Sequence, residues 1–170
     1  MIYTIVKYGD PILETPAEPV TEFDTKELHE LIADMFETMY SAKGVGLAAP
    51  QVGLSLRLTV IDCSVGEDDA QKLALINPEI IFMEGAQTGE EGCLSVPGFR
   101  EDVTRARKAV VRACNVRGEM FEAAGEDMLA RAMQHEIDHL NGILFLQHLS
   151  PLKRDLIRRR IRKMTKAGEW

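Results

Sequence analysis

The sequence predicts an α+β fold in which antiparallel or mixed β-sheets pack around a central metal-binding helix, with one further helix near the N-terminus and another at the C-terminus. Three observations lead there. Gln134-His135-Glu136-Ile137-Asp138-His139 is a His-Glu-x-x-His pattern in a helical context, and imidazoles at i and i+4 share one helical face, where one divalent ion can bind both. The segments with strand character cluster between two amphipathic helical segments. They do not alternate with helices, which argues against a parallel, doubly wound sheet.

The elements follow in chain order. Pro11, Pro16 and Pro19 cut the first segment into extended pieces. A helix is expected over 25–42, because Leu28, Leu31, Ile32, Met35, Met39 and Tyr40 recur at helical spacing, and Asp24 with Glu27 makes a capping-box-like start. His29 lies off that stripe and is read as solvated. In Gly44-Val45-Gly46-Leu47-Ala48-Ala49-Pro50-Gln51, Gly44 and Gly46 let a carbonyl or an extended peptide come close to the backbone, and Gly44 can also end the helix before it. Gln51 offers a neutral amide that can donate to a polarised oxygen without adding charge. Strands are expected at 56–62, 73–76, 79–83, 108–116 and 119–123, the last two joined around Arg117-Gly118. Between them, Glu90 to Gly98 carries no helical period and reads as a loop or short extended segment.

The metal-binding helix starts near Gly125-Glu126-Asp127, where acidic groups suit the positive end of the dipole, and Gly142 suits its stop. Leu129, Met133, Ile137 and Leu140 form a core-facing stripe. Asp127, Gln134, Asp138 and Asn141 fall on the opposite side and are expected to face water, while Met128 and Ala132 share the histidine face. The last helix, 150–166, opens on Ser150 as cap and Pro151 at its first position, with Leu152, Leu156, Ile157, Ile161 and Met164 along an apolar edge.

Two histidines need a third ligand. One protease class extends the motif as His-Glu-x-x-His-x-x-Gly-x-x-His, but Phe145 stands where the last histidine is required. A downstream glutamate serves another class; after His139 only Asp155 and Glu169 are acidic, and neither is placed to return to the site. His148 lies beyond the end of the helix. The stronger candidate is upstream: Cys93, between glycine and Leu94-Ser95-Val96-Pro97, can bring a thiolate to the ion from a loop. Cys63 and Cys114 sit in apolar runs and read as small buried hydrophobes.

Three motifs taken together, Gly44 to Gln51, Glu91-Gly92-Cys93-Leu94-Ser95 and Gln134 to His139, resemble those of the bacterial peptide deformylases over nearly the whole chain, with Val45 where that family often has isoleucine. The resemblance implies an amidase that removes the formyl group from N-terminal formyl-methionine of nascent polypeptides. It implies Cys93, His135 and His139 as metal ligands and Glu136 as acid/base. It implies the Gln51 side chain and the Leu94 N–H as binders of the carbonyl oxygen, with Val45 and Gly46 beside the substrate. The expected ion is iron(II), replaceable by zinc, nickel or cobalt. Two other classes carry the same helix: a zinc endopeptidase, which the absent downstream ligand opposes, and a non-catalytic metal or ribosome-binding module, which usually closes its site with four protein ligands.

The 170 residues suffice for a single domain with a sizeable core. No apolar run approaches the ~18 residues of a membrane span, and the start lacks the basic, then apolar character of a signal peptide. Three cysteines without a pairing pattern suggest a reducing, cytoplasmic setting, and a monomer is expected. Charge is uneven: residues 150–170 carry eight Lys or Arg against two acids, net +6, while the remainder is net −13. A basic helix on an acidic body reads either as a docked helix with a solvated face or as a handle for RNA; the ribosome association that the resemblance implies for the C-terminal helix sets the second level with the first.

Overall fold

The computed structural model describes residues 1–170. The N-terminal segment runs extended over the body, apart from a 3₁₀ turn at Pro11–Glu14, and leads into α1 (Lys26–Ser41). The α1 cap is Thr25, whose hydroxyl accepts from the Leu28 N–H at 3.1 Å. This corrects the expected cap at Asp24, which adopts φ 55° and instead holds the His29 ring at 2.7 Å. Met35 and Met39 are fully buried, as the stripe requires.

Five strands form one antiparallel sheet in the order β1 (Gly46–Ala48), β2 (Leu58–Ile61), β3 (Leu73–Glu84), β6 (Lys108–Cys114) and β7 (Met120–Glu126). The two strands expected at 73–76 and 79–83 are one, β3, bent at Asn77-Pro78, where its register against β6 shifts. Asn77 sits at φ 51°, and its side chain brackets Val20, accepting from its N–H and donating to its C=O, both at 2.9 Å. A separate hairpin, β4 (Gln87–Gly92) with β5 (Arg100–Arg105), pairs Gly92 with Arg100 and Glu91 with Glu101. Every ladder is antiparallel.

Helix α2 (Asp127–Leu140) packs against the main sheet, with Met133 and Ile137 on Leu75, Ala109 and Val111. It is enclosed along most of its length, so the expected wet face holds at its ends, where Asp127 and Asn141 are exposed, and is corrected at Gln134 and Asp138. Gln134 is buried because its amide pairs with Ala106, accepting from the N–H at 3.0 Å and donating to the C=O at 2.9 Å. Asp138 receives Arg105 at 2.6 Å. A buried polar side chain is stable only when so partnered.

Helix α3 (Pro151–Lys166) rests on the body through Ile157 and Ile161. Leu152 and Leu156 are 70% and 50% exposed, against the expected apolar edge. At about 100° per residue they point ~100–140° away from Ile157, off the docked face. No helix is long and apolar enough to cross a membrane.

Candidate metal centre and active site

Cys93 follows the end of β4, His135 and His139 come from α2, and Gln51 from the 3₁₀ turn Ala49–Val52 after β1. Three separate stretches of sequence thus meet at one point. Cys93 Sγ lies 3.3 Å from His139 Nε2, and the two Nε2 atoms lie 3.2 Å apart. All three donor atoms fall within 4.8 Å of one another. An ion held tetrahedrally by sulfur at ~2.3 Å and imidazole at ~2.0–2.1 Å sets its donors about 3.3–3.6 Å apart, so the residues fit a single ion of that kind. Of the other two ring nitrogens, His135 Nδ1 has an acceptor, whereas His139 Nδ1 is buried without a partner in the chain. His135 Nδ1–H donates to Glu91 Oε1 at 2.6 Å, which turns the Nε2 lone pair inward, and burial beside His135 pushes His139 well below the usual histidine value.

Glu91 was not singled out by sequence, yet it organises the site. Burial would raise its carboxyl, but His135 and Arg105 outweigh that and hold it well below the usual range. It accepts from Arg105 Nε at 3.2 Å and Nη2 at 2.6 Å, and from Arg131 Nη1 at 2.7 Å. Arg105 also reaches Asp138, whose Oδ2 lies 2.8 Å from His148 Nε2. His148 therefore belongs to this outer network and contributes no donor to the centre.

Glu136 is buried, and one of its oxygens, Oε2, has no partner in the chain. Burial pushes its carboxyl up to about 7, the range that suits a group alternating between base and acid. Space for it exists because residue 46 is glycine: a Cβ there would stand 2.5 Å from Glu136 Oε1. Gly44 gives room in the same way to Leu94, whose Cδ1 would meet a Cβ at 2.7 Å. The Gln51 amide is oriented unambiguously. Its Oε1 accepts from the Ala48 N–H at 2.9 Å, so Nε2 points towards Ser95 Oγ at 3.2 Å and Cys93 Sγ at 3.6 Å. The Leu94 N–H is given no acceptor by the chain.

A cleft of about 590 Å³ opens onto these groups, with Val45, Gly46, Met128 and Ala132 among its walls. A smaller cleft of about 360 Å³, lined by His29, Lys72 and Phe121, shares no residue with it and holds none of these donors. Cys63 and Cys114 are half-buried among apolar neighbours and remain unpaired.

An antiparallel sheet wrapped on a His-Glu-x-x-His helix, with a cysteine beside the two histidines and a buried glutamate next to them, is the arrangement of a metal-dependent amide hydrolase. The family model for polypeptide deformylase matches residues 2–155, and the chain belongs to that family. A peptide deformylase of Acidobacterium capsulatum is 64% identical over 170 residues, covering 100% of this chain and 99% of that protein. The crystal structure of the Legionella pneumophila peptide deformylase superposes with a TM-score of 0.90 at 48% identity, covering 99% of this chain and 98% of the other. The Synechococcus elongatus enzyme, solved in complex with actinonin, gives 0.86 at 39% identity, covering 98% and 88%. The protein is a hydrolase that removes the N-terminal formyl group from nascent polypeptides, in a family that depends on a metal.

Proposed function

We propose that Cys93, His135 and His139 hold one divalent ion, iron(II) in the working enzyme, and that Glu136, Gln51 and Leu94 carry out deformylation around it. The observation that carries the reading is the convergence of three inward-facing donors on a buried glutamate with a free oxygen, at the base of an open cleft. When bound, the ion would supply Lewis acidity and lower the pKa of water towards neutrality. Glu136 takes the proton of the attacking water on its carboxylate and returns it to the leaving amine, so that formate departs from a free N-terminus. Gln51 Nε2 and the Leu94 N–H donate to the oxygen on which charge develops. Val45 and Gly46 present backbone to the substrate, and Met128 and Ala132 line a slot for an unbranched apolar side chain, which is what methionine offers. Zinc, nickel or cobalt would substitute for iron, because imidazole and thiolate accept all of them.

The experiment is to load the protein with iron(II) under exclusion of air and supply formyl-Met-Ala, reading formate and free amine. Cys93→Ala should lose metal and activity together, while Cys63→Ala and Cys114→Ala keep both. Full metal content in Cys93→Ala would overturn the ligand set.

The reading includes one catalytic domain over 1–170, a monomer in the cytoplasm, and a basic face on α3 that meets ribosomal RNA. Arg159, Arg162 and Lys163 are exposed and unpaired, which supports that face; Arg158 is half-buried and donates to the Tyr8 hydroxyl at 3.1 Å. Reversing the charge of the first three should weaken co-sedimentation with ribosomes, with a steep dependence on salt. It should leave hydrolysis of formyl-Met-Ala intact. Unchanged co-sedimentation would reduce this face to a solvated surface.

A further inference from the structure

One side of the cleft is held from a distance. Phe99 lines it, at the end of the turn Pro97-Gly98 in which Gly98 takes φ 86°. The Phe99 ring does not rest on the domain core alone. Trp170 meets it edge-on, with centroids 6.1 Å apart and planes at 62°, and the Arg160 guanidinium lies 5.4 Å from its centre. Trp170 does not line the cleft. It is pinned in its turn: the indole N–H donates to the Tyr8 C=O at 2.8 Å, and Lys7 Nζ stands 6.0 Å from the ring. Tyr8 then closes the circuit, donating its N–H to the Ser95 C=O at 2.8 Å, inside the loop that carries Cys93 and Leu94. Two chain ends therefore converge on the loop that forms one wall of the cleft, while the histidine side of the cleft is built by α2.

We propose that Phe99 determines how the enzyme binds residues that follow the formyl-methionine, and that Trp170 and Arg160 are positioning residues that keep the Phe99 ring at the cleft wall. The ligand class is a formylated peptide with an apolar residue beyond the second position, because the ring offers an apolar face and no charge. This rests on the deformylase reading of the same cleft. Formyl-Met itself is served by Val45, Met128, Ala132 and the metal centre, and Trp170 is not among the residues that line this cleft. The consequence is a dependence on peptide length. In Trp170→Ala the KM for formyl-Met-Ala-Leu should rise about fivefold, the size of one lost aromatic pair. Its kcat, and both constants for formyl-Met-Ala, should stay within twofold of the parent.

Phe99→Ala should lower the ratio of kcat/KM for the tripeptide over the dipeptide by a similar factor, and the double variant should add nothing, since both substitutions remove one wall. Trp170→Phe, which keeps an aromatic edge, should recover most of the loss. A second readout does not involve turnover. Trp170 is the only tryptophan of the chain, so addition of Met-Ala-Leu should change its emission, whereas Met alone should not. Equal losses on dipeptide and tripeptide, additive effects of the two substitutions, or an emission blind to Met-Ala-Leu would each overturn the inference. Absence of any formyl-Met-Ala hydrolysis by the parent enzyme would instead overturn the reading it rests on.

Discussion

Replacing Glu91 by glutamine should both destabilise the protein and loosen its hold on the metal. The geometry sets the size. Oε1 accepts from Arg105 Nη2 and His135 Nδ1, both at 2.6 Å, and Oε2 accepts from Arg105 Nε at 3.2 Å and Arg131 Nη1 at 2.7 Å. A glutamine keeps one acceptor oxygen and turns an NH₂ group towards the other pair of donors, so two of the four bonds are lost. Bonds to charged groups contribute about 1.5–3 kcal/mol each, which puts the loss near 3–6 kcal/mol. Breaking a buried ion pair from one side gives about 3–5 kcal/mol by an independent route. A domain of this size shifts its Tm by roughly 2–4 °C per kcal/mol, so the fall should be on the order of 10 °C. His135 loses the group that fixes its ring and tautomer, or keeps it while Arg105 Nε and Arg131 Nη1, which help fix the Glu91 side chain, lose their acceptor. Either way, metal affinity should drop about 10–100-fold. Thermal melts of the chelator-treated protein give the first quantity, and competition with a chromogenic chelator gives the second. A Tm within 2 °C of the parent, together with unchanged competition, would refute the argument that Glu91 organises the centre.

Glu136→Gln should retain metal and fold while turnover falls by at least the ~10²–10⁴ of a lost general base, read as formate release by metal-replete protein; near-parent turnover would assign the proton transfers elsewhere. Gly46→Ala should act through the same carboxylate, because the new methyl stands 2.5 Å from Oε1 and 2.9 Å from Cδ. A displacement of that kind costs about 10²-fold in kcat, and metal content should stay normal; an unaffected kcat would show that Glu136 has slack to yield. Acid stability should depend on Asp62, which is buried yet accepts from Tyr40 Oη at 2.5 Å, Ser64 Oγ at 2.6 Å and the N–H groups of Ser64 and Gly66 at 2.8 and 3.1 Å. Burial would raise its pKa, but these donors outweigh burial and lower it, so its contribution is full above the unfolded value near 3.9 and fades as pH falls through the folded one. Urea unfolding of the parent and Asp62→Asn should differ by about 2 kcal/mol at pH 7 and by much less at pH 3; a gap independent of pH would contradict this.

What the sequence revealed depended on how each element is stabilised. Helices α1 and α2 were legible because Leu28, Met35 and Met39, or Met133, Ile137 and Leu140, repeat with the helical period against one core. The hairpin β4–β5 was not, because Gln87 to Gly92 and Arg100 to Arg105 supply one fully buried apolar residue, Val103, and otherwise rely on charge. Its anchor is the Glu91–Arg105 pair, 4–5% exposed, and a carboxylate between glutamate and glycine gives no periodic sign of burial. The same limit hid Gln134 and Asp138. A periodicity argument assumes that a helix has one dry face, whereas α2 is enclosed and satisfies its polar side chains with Ala106 and Arg105. The residues proposed for the chemistry were legible because two histidines and a glutamate at fixed spacing, with a cysteine between glycine and leucine, are constrained by ligand geometry whatever surrounds them.

The shallow seating of α3 has a consequence for exchange with solvent. Two buried isoleucines, Ile157 and Ile161, secure a sixteen-residue helix, and each contributes about 1.5–3 kcal/mol. That sum lies below or at the low end of the ~5–15 kcal/mol that holds a whole domain, so α3 can detach while the sheet and α2 stay folded. Its amide protons should trade for deuterium through local opening, at a rate that barely responds to metal. Those in the middle of α2 should wait for global unfolding and slow further when the ion is bound. The helix that carries the positive charge is thus a cooperative unit of its own: its detachment would release the Phe99 ring that Arg160 meets at the cleft wall, while the metal centre on α2 stays in place.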